Sequence, residues 1–420
     1  MKKKLLLTML LPLSLFAQSY LISNIPLPKT YIQNLDPYPC EESCMQEYLD
    51  NDMIFSFLSH AQTKLNNEEQ DEVRMMNISI LNIGSQIINY KLHIALLLPY
   101  KIIGRYASST TNASFAYLIS KNHSFELKSY KIQSESEKDI KEALLKISAD
   151  GFNYVIAPLT RKGAQTVAEI DPDMNIFFPT INKKDINTTS SYLIYGGINY
   201  KAQSDLLLKE AVSPLVVFYD RSKIGKELSI YEKNRFIYGV SMDNNLSVEE
   251  SKAQILDANR SVVKFSIPKR TTNLERYLSE NEDIVESSFF INTPIVKTGM
   301  IMSQLTLYDT NATNILSTQI NYDPLILSIT QYQDRKNMII ANSITNNNNI
   351  FIESNSLLGN DIVYDWINYT TTVGVDYFFS LATREDREYK ITIEENQMIY
   401  PIELLKPAKY RFIKYNSIEE

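Results

Sequence analysis

The sequence predicts an α/β protein of two lobes, each a parallel sheet flanked by helices, behind a short N-terminal helical segment. Three observations carry this. His93 to Pro99, HIALLLP, is a short apolar run ending in proline that passes directly into the helix-like IGRYASSTTNASFAYLI. The alternation then recurs: FELKSYKIQS (125–134) before SEKDIKEALLKISADG (136–151), NYVIAPLT (153–160) before RKGAQTVAEIDPD (161–173), then NIFFPT (175–180). A second series opens at PLVVFYDRS (214–222). Strands alternating with helices of this length pair in parallel through right-handed crossovers, and ligands of such sheets bind outside the carboxyl ends of the strands.

Taken in order, the chain starts with Met1-Lys-Lys-Lys, an apolar core from Leu5 to Phe16, and the small residues Ala17-Gln18-Ser19. This reads as a signal peptide over 1–19, with export to the periplasm; the alternative, an uncleaved anchor helix, meets a core interrupted by Pro12 and too short to span comfortably. No later segment reads as a transmembrane span. Residues 20–75 form an extended and helical segment, with Met45, Leu49, Ile54, Leu58 and Leu65 at roughly helical spacing. It holds the two cysteines, Cys40 and Cys44. In an oxidising compartment they read as a disulfide closing a small loop at a helix start, with Cys40 just outside the helix; a redox-active pair would need a C-x-x-C spacing that is absent. MNISILNI (76–83) and QIINYKLHI (86–94) read as strands leading into lobe one, 76–197, continued by 323–420. Lobe two is expected over 198–322. Its elements are KIGKELSIYEKNR (helix), FIYGVSM and SVVKFSIPK (strands), TTNLERYLSENED (helix), SSFFINTPIV (strand), KTGMIMSQLTLYD (helix) and NILSTQI (strand). Beyond the polar loop TNNNN, residues 361–382 read as one long helix, and MIYPIEL with KYRFIKY as a terminal hairpin.

Composition narrows the function. With 420 residues, 44% hydrophobic and 22% charged, the chain has material for one large or two medium cores. A net charge of −7 argues against nucleic acid as a partner. The 27 tyrosines beside one tryptophan read as codon bias rather than a specialised aromatic surface. His60, His93 and His123 lie in separate elements without a ligand at metal spacing, so no metal is expected. There is no G-x-S-x-G elbow, P-loop or G-x-G-x-x-G fingerprint, and only 11 glycines, so neither an enzyme nor a phosphate-bearing cofactor is expected.

A family resemblance sharpens the reading. HIALLLPYKIIGRYASSTTNASFAYLI looks like the opening of the C-terminal domain of the penicillin-binding-protein activator lipoproteins, in which a strand ending in LLP leads through a small-residue loop to a helix. VIAPLTRKGAQTVAE (155–169) resembles their strand ending in a G-P-L turn, with Ala157 in the usual glycine's place. FFPTINKKD (177–185) is similar to their next strand, and DIVYDWINYTTTVGVDYFF with QMIYPIELLKPAKYRFIKY to their final helix and hairpin. The resemblance covers roughly residues 92–415 and departs in lacking the lipid-anchor cysteine and the long helical-repeat domain. It implies a two-lobed periplasmic-binding-protein type I fold and an envelope regulator or scaffold that contacts a peptidoglycan synthase. The alternative is a solute receptor for a small amino acid or amide feeding an ABC transporter; an enzyme acting on cell-wall material is the third class.

A cleft between lobes would be lined by strand ends and helix starts. That selects Tyr100, Arg105, Tyr106, Thr160 and Arg161 from lobe one, and Asp220, Arg221, Thr293 and Lys297 from lobe two. Thr160 could offer its hydroxyl and N–H to an anion at a helix N-terminus, or simply cap that helix; Arg161 or Arg105 could pair a carboxylate or face solvent. The polar set Gln304, Gln319, Asn321, Tyr322, Asp323, Asp334 and Arg335 reads as a structural tie or a partner surface. Finally, eight N-x-S/T triplets occur, and four, at Asn187, Asn245, Asn259 and Asn311, carry an aspartate two residues earlier. With 49 acidic residues in 420, chance gives about one such case in eight. The longer pattern resembles the acceptor sequon of bacterial N-glycosylation, and these four are the expected acceptors.

Overall fold

The computed structural model describes residues 32–36, 38–63, 65–81, 83, 91–121, 123–239, 260–345 and 347–415. The signal stretch, Asn245 and Asn259 lie outside the described residues. The chain divides into two units, Met1–Lys91 with Asn122–Ser124, and Leu92–Lys121 with Phe125–Glu420. The boundary therefore falls after Lys91 and not at residue 75.

In the first unit, helices α1 (Glu42–Asp50), α2 (Ile54–His60) and α3 (Glu68–Ile80) bury Phe57, Leu58 and Ala61 among Met45, Leu49, Val73 and Ile78. Cys40 and Cys44 are joined in a disulfide, Cα–Cα 5.4 Å, with Cys40 outside α1 and Cys44 in its first turn. His60 stacks on Tyr48, ring centroids 5.7 Å apart. The strand expected from Met76 is instead the end of α3. Glu68, Glu69 and Asp71 stabilise the positive N-terminus of that helix, and the Asn77 amide donates to the Val73 carbonyl at 2.8 Å, one turn back.

The second unit holds two seven-stranded sheets. The first takes β1 (Leu92–Leu98), β2 (Phe125–Lys131), β3 (Tyr154–Ile156), β4 (Asn175–Phe178) and β5 (Leu193–Tyr195). The second takes β6 (Leu215–Tyr219), β7 (Val262–Ser266), β8 (Ser288–Asn292), β9 (Asn314–Ser317) and β10 (Met338–Asn342). The return adds β11 (Thr392–Glu394) and β12 (Gln397–Ile399) to the first, and β13 (Glu403–Pro407) and β14 (Phe412–Lys414) to the second. The orders are β11-β12-β5-β4-β3-β1-β2 and β14-β13-β10-β9-β8-β6-β7. Strands one to five of each sheet are parallel; β11 and β12 pair antiparallel with each other, and β13 pairs antiparallel with β10 and β14. Order reverses between β1 and β3 and between β6 and β8, which opens a crevice at the strand carboxyl ends of each lobe.

These strands read as apolar runs because both faces are covered. β8 and β10 are buried throughout, as is β1 except at His93, while the edge strands β2 and β7 are half-exposed. The covering helices are α4 (Tyr106–Ile119), α5 (Glu137–Ala149), α6 (Arg161–Ile170), α7 (Tyr200–Leu207), α8 (Lys223–Tyr238), α9 (Ile295–Leu307), α10 (Asn349–Leu357) and α11 (Trp366–Thr383). Side-chain oxygens of Ser136, Thr160, Asn199, Ser222, Asn348 and Asp365 accept a first-turn N–H at the starts of α5, α6, α7, α8, α10 and α11.

Four expectations are corrected. Residues 236–238, read as the start of a strand, continue α8: Phe236 is buried on its inner face and Gly239, at φ +70, supplies the left-handed residue that ends it. The helix expected over 271–283 is one turn, Glu275–Leu278, and a 3-10 turn, Glu282–Ile284, because Ser279 is extended and Glu280 has φ +51. The long helix begins at Trp366, where Asp365 caps it, and not at Asp361. The return over 323–420 does not belong wholly to lobe one: β10, β13 and β14 extend the second sheet, and MIYPIEL is split between β12 and β13.

The lobes are joined by three passages, from β5 to α7, from β10 to α10, and from β12 to β13. Helix α11 returns to lobe one and buries twelve of its residues. The Phe177 ring lies between Gly196 and Gly374, and a Cβ at either glycine would land inside the van der Waals envelope of that ring. Gly374→Ala is therefore expected to lower unfolding free energy by about 1–3 kcal/mol through overpacking, measured by denaturant titration, whereas Gly359→Ala tests only the backbone, since Gly359 has φ +73 and open space around it.

In lobe two, fully buried Glu232 accepts from the Asn292 amide at 2.6 Å and the Ser204 hydroxyl at 3.2 Å. Burial pushes its carboxyl well above the usual range, against those two hydrogen bonds. A folded-state value raised above the unfolded one means that the native state binds more protons across that window, so stability falls as pH rises through it. Glu232→Gln should flatten this dependence and melt above the parent on the alkaline side, checked by thermal unfolding across pH.

Candidate functional site

The largest described cavity, about 870 Å³, opens between the lobes. Lobe one contributes Arg105 and Tyr106 from the start of α4, Pro158 to Thr160 from the end of the β3 segment, and Thr180 and Ile181 after β4. Opposite stand Tyr200, the segment Gln319, Ile320, Tyr322, Asp323 and Pro324, and the lead-in to α11 from Asp361 through Ile367. Tyr322 and Tyr364 pack with Phe412 of β14, ring centroids 4.9 to 6.0 Å apart, which makes an aromatic wall.

Charge in this wall is unevenly distributed. Asp361 accepts the N–H groups of Val363 and Tyr364, Asp365 that of Ile367, and Asp323 that of Leu325, so each carboxylate tethers its own turn. Arg105 is the one cation among the lining residues, and its guanidinium lies over the Tyr106 ring at 5.4 Å. Burial raises the Asp365 carboxyl; the bond from Ile367 N–H and the Arg105 charge oppose that rise. Burial also pushes the Tyr200 phenol up to about 12 and raises that of Tyr322. Tyr322 is 8% exposed.

The most consequential contact lies on the lobe-one side, at the start of α6. The Thr160 N–H donates to Glu135 Oε1 at 2.8 Å, its hydroxyl bonds Glu135 Oε2, and the same hydroxyl caps α6 through Gly163 N–H. Glu135 is 6% exposed, and its carboxyl group fills the space that a Cβ on Gly163 would need. The anion at the start of α6 is thus the chain's own. A parallel arrangement stands in lobe two: Asp220 accepts the Ser222 N–H and hydroxyl, Ser222 caps α8 through Gly225, and Asp220 fills the Cβ position of Gly225.

Of the sequence-selected residues, Arg105, Tyr106 and Thr160 line the cavity; the other six do not. Tyr100 exchanges hydrogen bonds with Gln133. Arg161 turns to Asp185, bonding its carbonyl at 3.0 Å and its carboxylate at 3.3 Å. Asp220 is engaged by Ser222, and Arg221 faces a separate hollow beside Lys264. Thr293 meets the Thr298 hydroxyl at 2.8 Å, and Lys297 donates to the carbonyls of Lys269 and Thr271. Residues missed by sequence reading include Glu135, Tyr200, Tyr364, Asp365 and Trp366. The lone tryptophan beside an acidic helix cap was a usable signal; Glu135 gave none.

The polar set around 304–335 serves as ties. Gln304 holds Leu274 N–H and the Thr272 carbonyl, Asn321 donates to Ser317, and Gln319 bonds Gln203 and Ser343 N–H. Asp334 accepts from Ser303, and Arg335 reaches the carbonyls of Ala408 and Lys409. Among the described residues no cluster of three His, Cys, Asp or Glu side chains could hold a metal, and no helix is long and apolar enough to cross a membrane.

Two lobes with this strand order, a cleft at the strand ends and three connecting passages define the fold of the type I periplasmic binding proteins. No known protein family and no curated protein matches the chain in sequence. Among solved structures, an ABC transporter substrate-binding protein from Sphaerobacter thermophilus aligns with 78% of this chain and 97% of its own, at 12% identity and TM-score 0.55. The branched-chain amino acid transporter substrate-binding protein LivJ of Streptococcus pneumoniae, in complex with isoleucine, aligns over 77% and 98%, at 8% identity and TM-score 0.52. Haemophilus influenzae LpoA aligns over 89% of this chain and 65% of its own at 9% identity, with a TM-score of 0.49, a likeness too slight to argue from.

The internal anion makes a direct prediction. Glu135→Ala leaves the part-buried N–H and hydroxyl of Thr160 without their carboxylate, which should cost about 1 kcal/mol in denaturant unfolding; millimolar formate or acetate should then restore part of the loss, while leaving the parent protein unmoved.

Proposed function

We propose that the chain is an exported, non-enzymatic protein of the cell envelope that acts by protein contact, with a peptidoglycan synthase as the partner class that its sequence resemblance suggests. The observation that carries this reading is Glu135. A receptor for an amino acid needs free, converging donors for the ligand's carboxylate, and here the Thr160 N–H and hydroxyl at the start of α6 are already bound to the chain's own carboxylate. Two further candidates for anion binding are also engaged, Arg161 on Asp185 and Lys297 on backbone carbonyls, which leaves Arg105 as the one cation lining the cavity. With its polar strand ends satisfied internally, the two-lobed body can serve as a scaffold without a solute.

A second reading, a solute receptor, rests on one observation. The cleft remains roomy, and Tyr322, Asp323, Asp361 and Asp365 all line it. Such a wall suits an amide or amine more than a free carboxylate.

The deciding experiment is a thermal-shift screen of the mature protein against amino acids, amides and muropeptides, since a ligand that binds only the folded state raises the melting temperature. The scaffold reading expects no saturable shift, together with site-specific photocrosslinking in cells that captures a cell-wall synthase. A saturable shift that disappears in both Arg105→Ala and Tyr322→Phe would replace it with the receptor reading.

A further inference from the structure

The structure separates the N-x-S/T triplets into two kinds. Of the four that lack the preceding acid, Asn122 lies outside the described residues, and Asn77, Asn112 and Asn368 lie inside helices α3, α4 and α11. Each amide is already committed: to the Val73 carbonyl at 2.8 Å, to the Leu358 carbonyl at 3.1 Å, and to the Asp361 carbonyl at 3.1 Å. Asn368 is also 3% exposed. Those with an acid two residues earlier, so far as the described residues reach, behave otherwise. Asn187 is exposed in the irregular segment after the 3-10 turn Lys183–Asp185, and Asn311 is exposed in the loop between α9 and β9, at φ +45. Neither side-chain amide bonds to a described residue, and the threonines two residues on, Thr189 and Thr313, are exposed as well.

Two independent features therefore coincide: an acidic residue that is over-represented at one offset, and a free, outward asparagine on a loop. Composition alone would scatter the acid over helical and loop triplets alike. The acids are themselves accessible at the surface. The Asp185 side chain is about half-exposed, its carboxylate engaged by the surface ion pair with Arg161 at 3.3 Å, and Asp309 borders a surface hollow beside Asn311. Exposed pairs of this kind are worth little, so exchange of Arg161 for an enzyme's cation costs little.

We propose that Asn187 and Asn311 are glycan acceptors, modified on the folded, exported protein by an oligosaccharyltransferase that reads the aspartate two residues before the asparagine. In the transfer, the amide nitrogen Nδ2 attacks the anomeric carbon of an oligosaccharide carried on a polyprenyl diphosphate. The bond from that carbon to the phosphate oxygen breaks, the polyprenyl diphosphate departs with the electron pair, and the amide gives up one proton. An exposed loop lets the amide rotate towards the donor, which a helical asparagine bonded to a carbonyl cannot do without unwinding. The proposal rests on export, and its test keeps the two apart.

The test is intact mass spectrometry of the protein isolated from its own host. The expected mass exceeds that of the signal-processed polypeptide by whole glycan increments. Asn187→Gln and Asn311→Gln should each remove one increment, Asp185→Ala and Asp309→Ala should remove the same increments without touching the asparagines, and Asn77→Gln should change nothing beyond its own mass. A processed mass with no excess, or an excess unaltered by Asn187→Gln and Asn311→Gln, overturns the acceptor assignment while leaving export standing; an unprocessed, unmodified chain overturns both.

Discussion

Two adjacent residues near the start of α11 hold every passage between the lobes. The Tyr369 hydroxyl meets Thr345, on the passage from β10, at 2.8 Å. The Thr370 hydroxyl lies 3.1 Å from the Gly196 carbonyl on the passage from β5 and 3.0 Å from the Tyr400 hydroxyl on the passage from β12. Trp366 packs edge-on against Tyr400 at 4.8 Å. Both Tyr369 and Thr370 are fully buried, so these polar groups need partners, and the connectors themselves supply them. The position of α11 on Phe177 thereby sets the geometry from which both sheets depart.

The same helix also organises the chain beyond its C-terminus. Buried Asp376 accepts the Tyr117 hydroxyl at 2.7 Å and the N–H groups of Glu388 and Tyr389 at 3.0 and 3.1 Å, which fixes the approach to β11. Desolvation raises its carboxyl, and these three donors oppose the rise. Helix and sheet edge are thus coupled through one side chain, and lobe one closes its sheet with β11 and β12, supplied only after the chain has built the five parallel strands of lobe two.

Most of this architecture is legible in the sequence wherever burial is two-sided. HIALLLP, PLVVFY and SSFFIN are apolar without alternation because helices cover both faces of β1, β6 and β8. Legibility fails where an apolar run has another explanation: Phe236 belongs to a helix face, and MIYPIEL serves two sheets because Tyr400 and Pro401 lie on a connector. The cleft is half legible for a related reason. The rule of strand carboxyl ends finds Arg105, Tyr106 and Thr160 in lobe one, but in lobe two those ends are closed by Glu232 on Asn292, Thr298 on Thr293 and Ser222 on Asp220. The opposing wall comes instead from residues 319–324 and the lead-in to α11. Glu135 stands 25 positions before Thr160, and no local pattern announces a partner at that distance.

The division of the return between both sheets has a consequence for the chain as a polymer. Neither lobe is a continuous stretch of sequence: the first sheet needs residues 92–195 and 392–399, the second 215–342 and 403–414. Severing one connector would leave the halves joined by two others, and no single excised stretch carries a whole lobe. The two-lobed unit is topologically single and can be nicked without being divided.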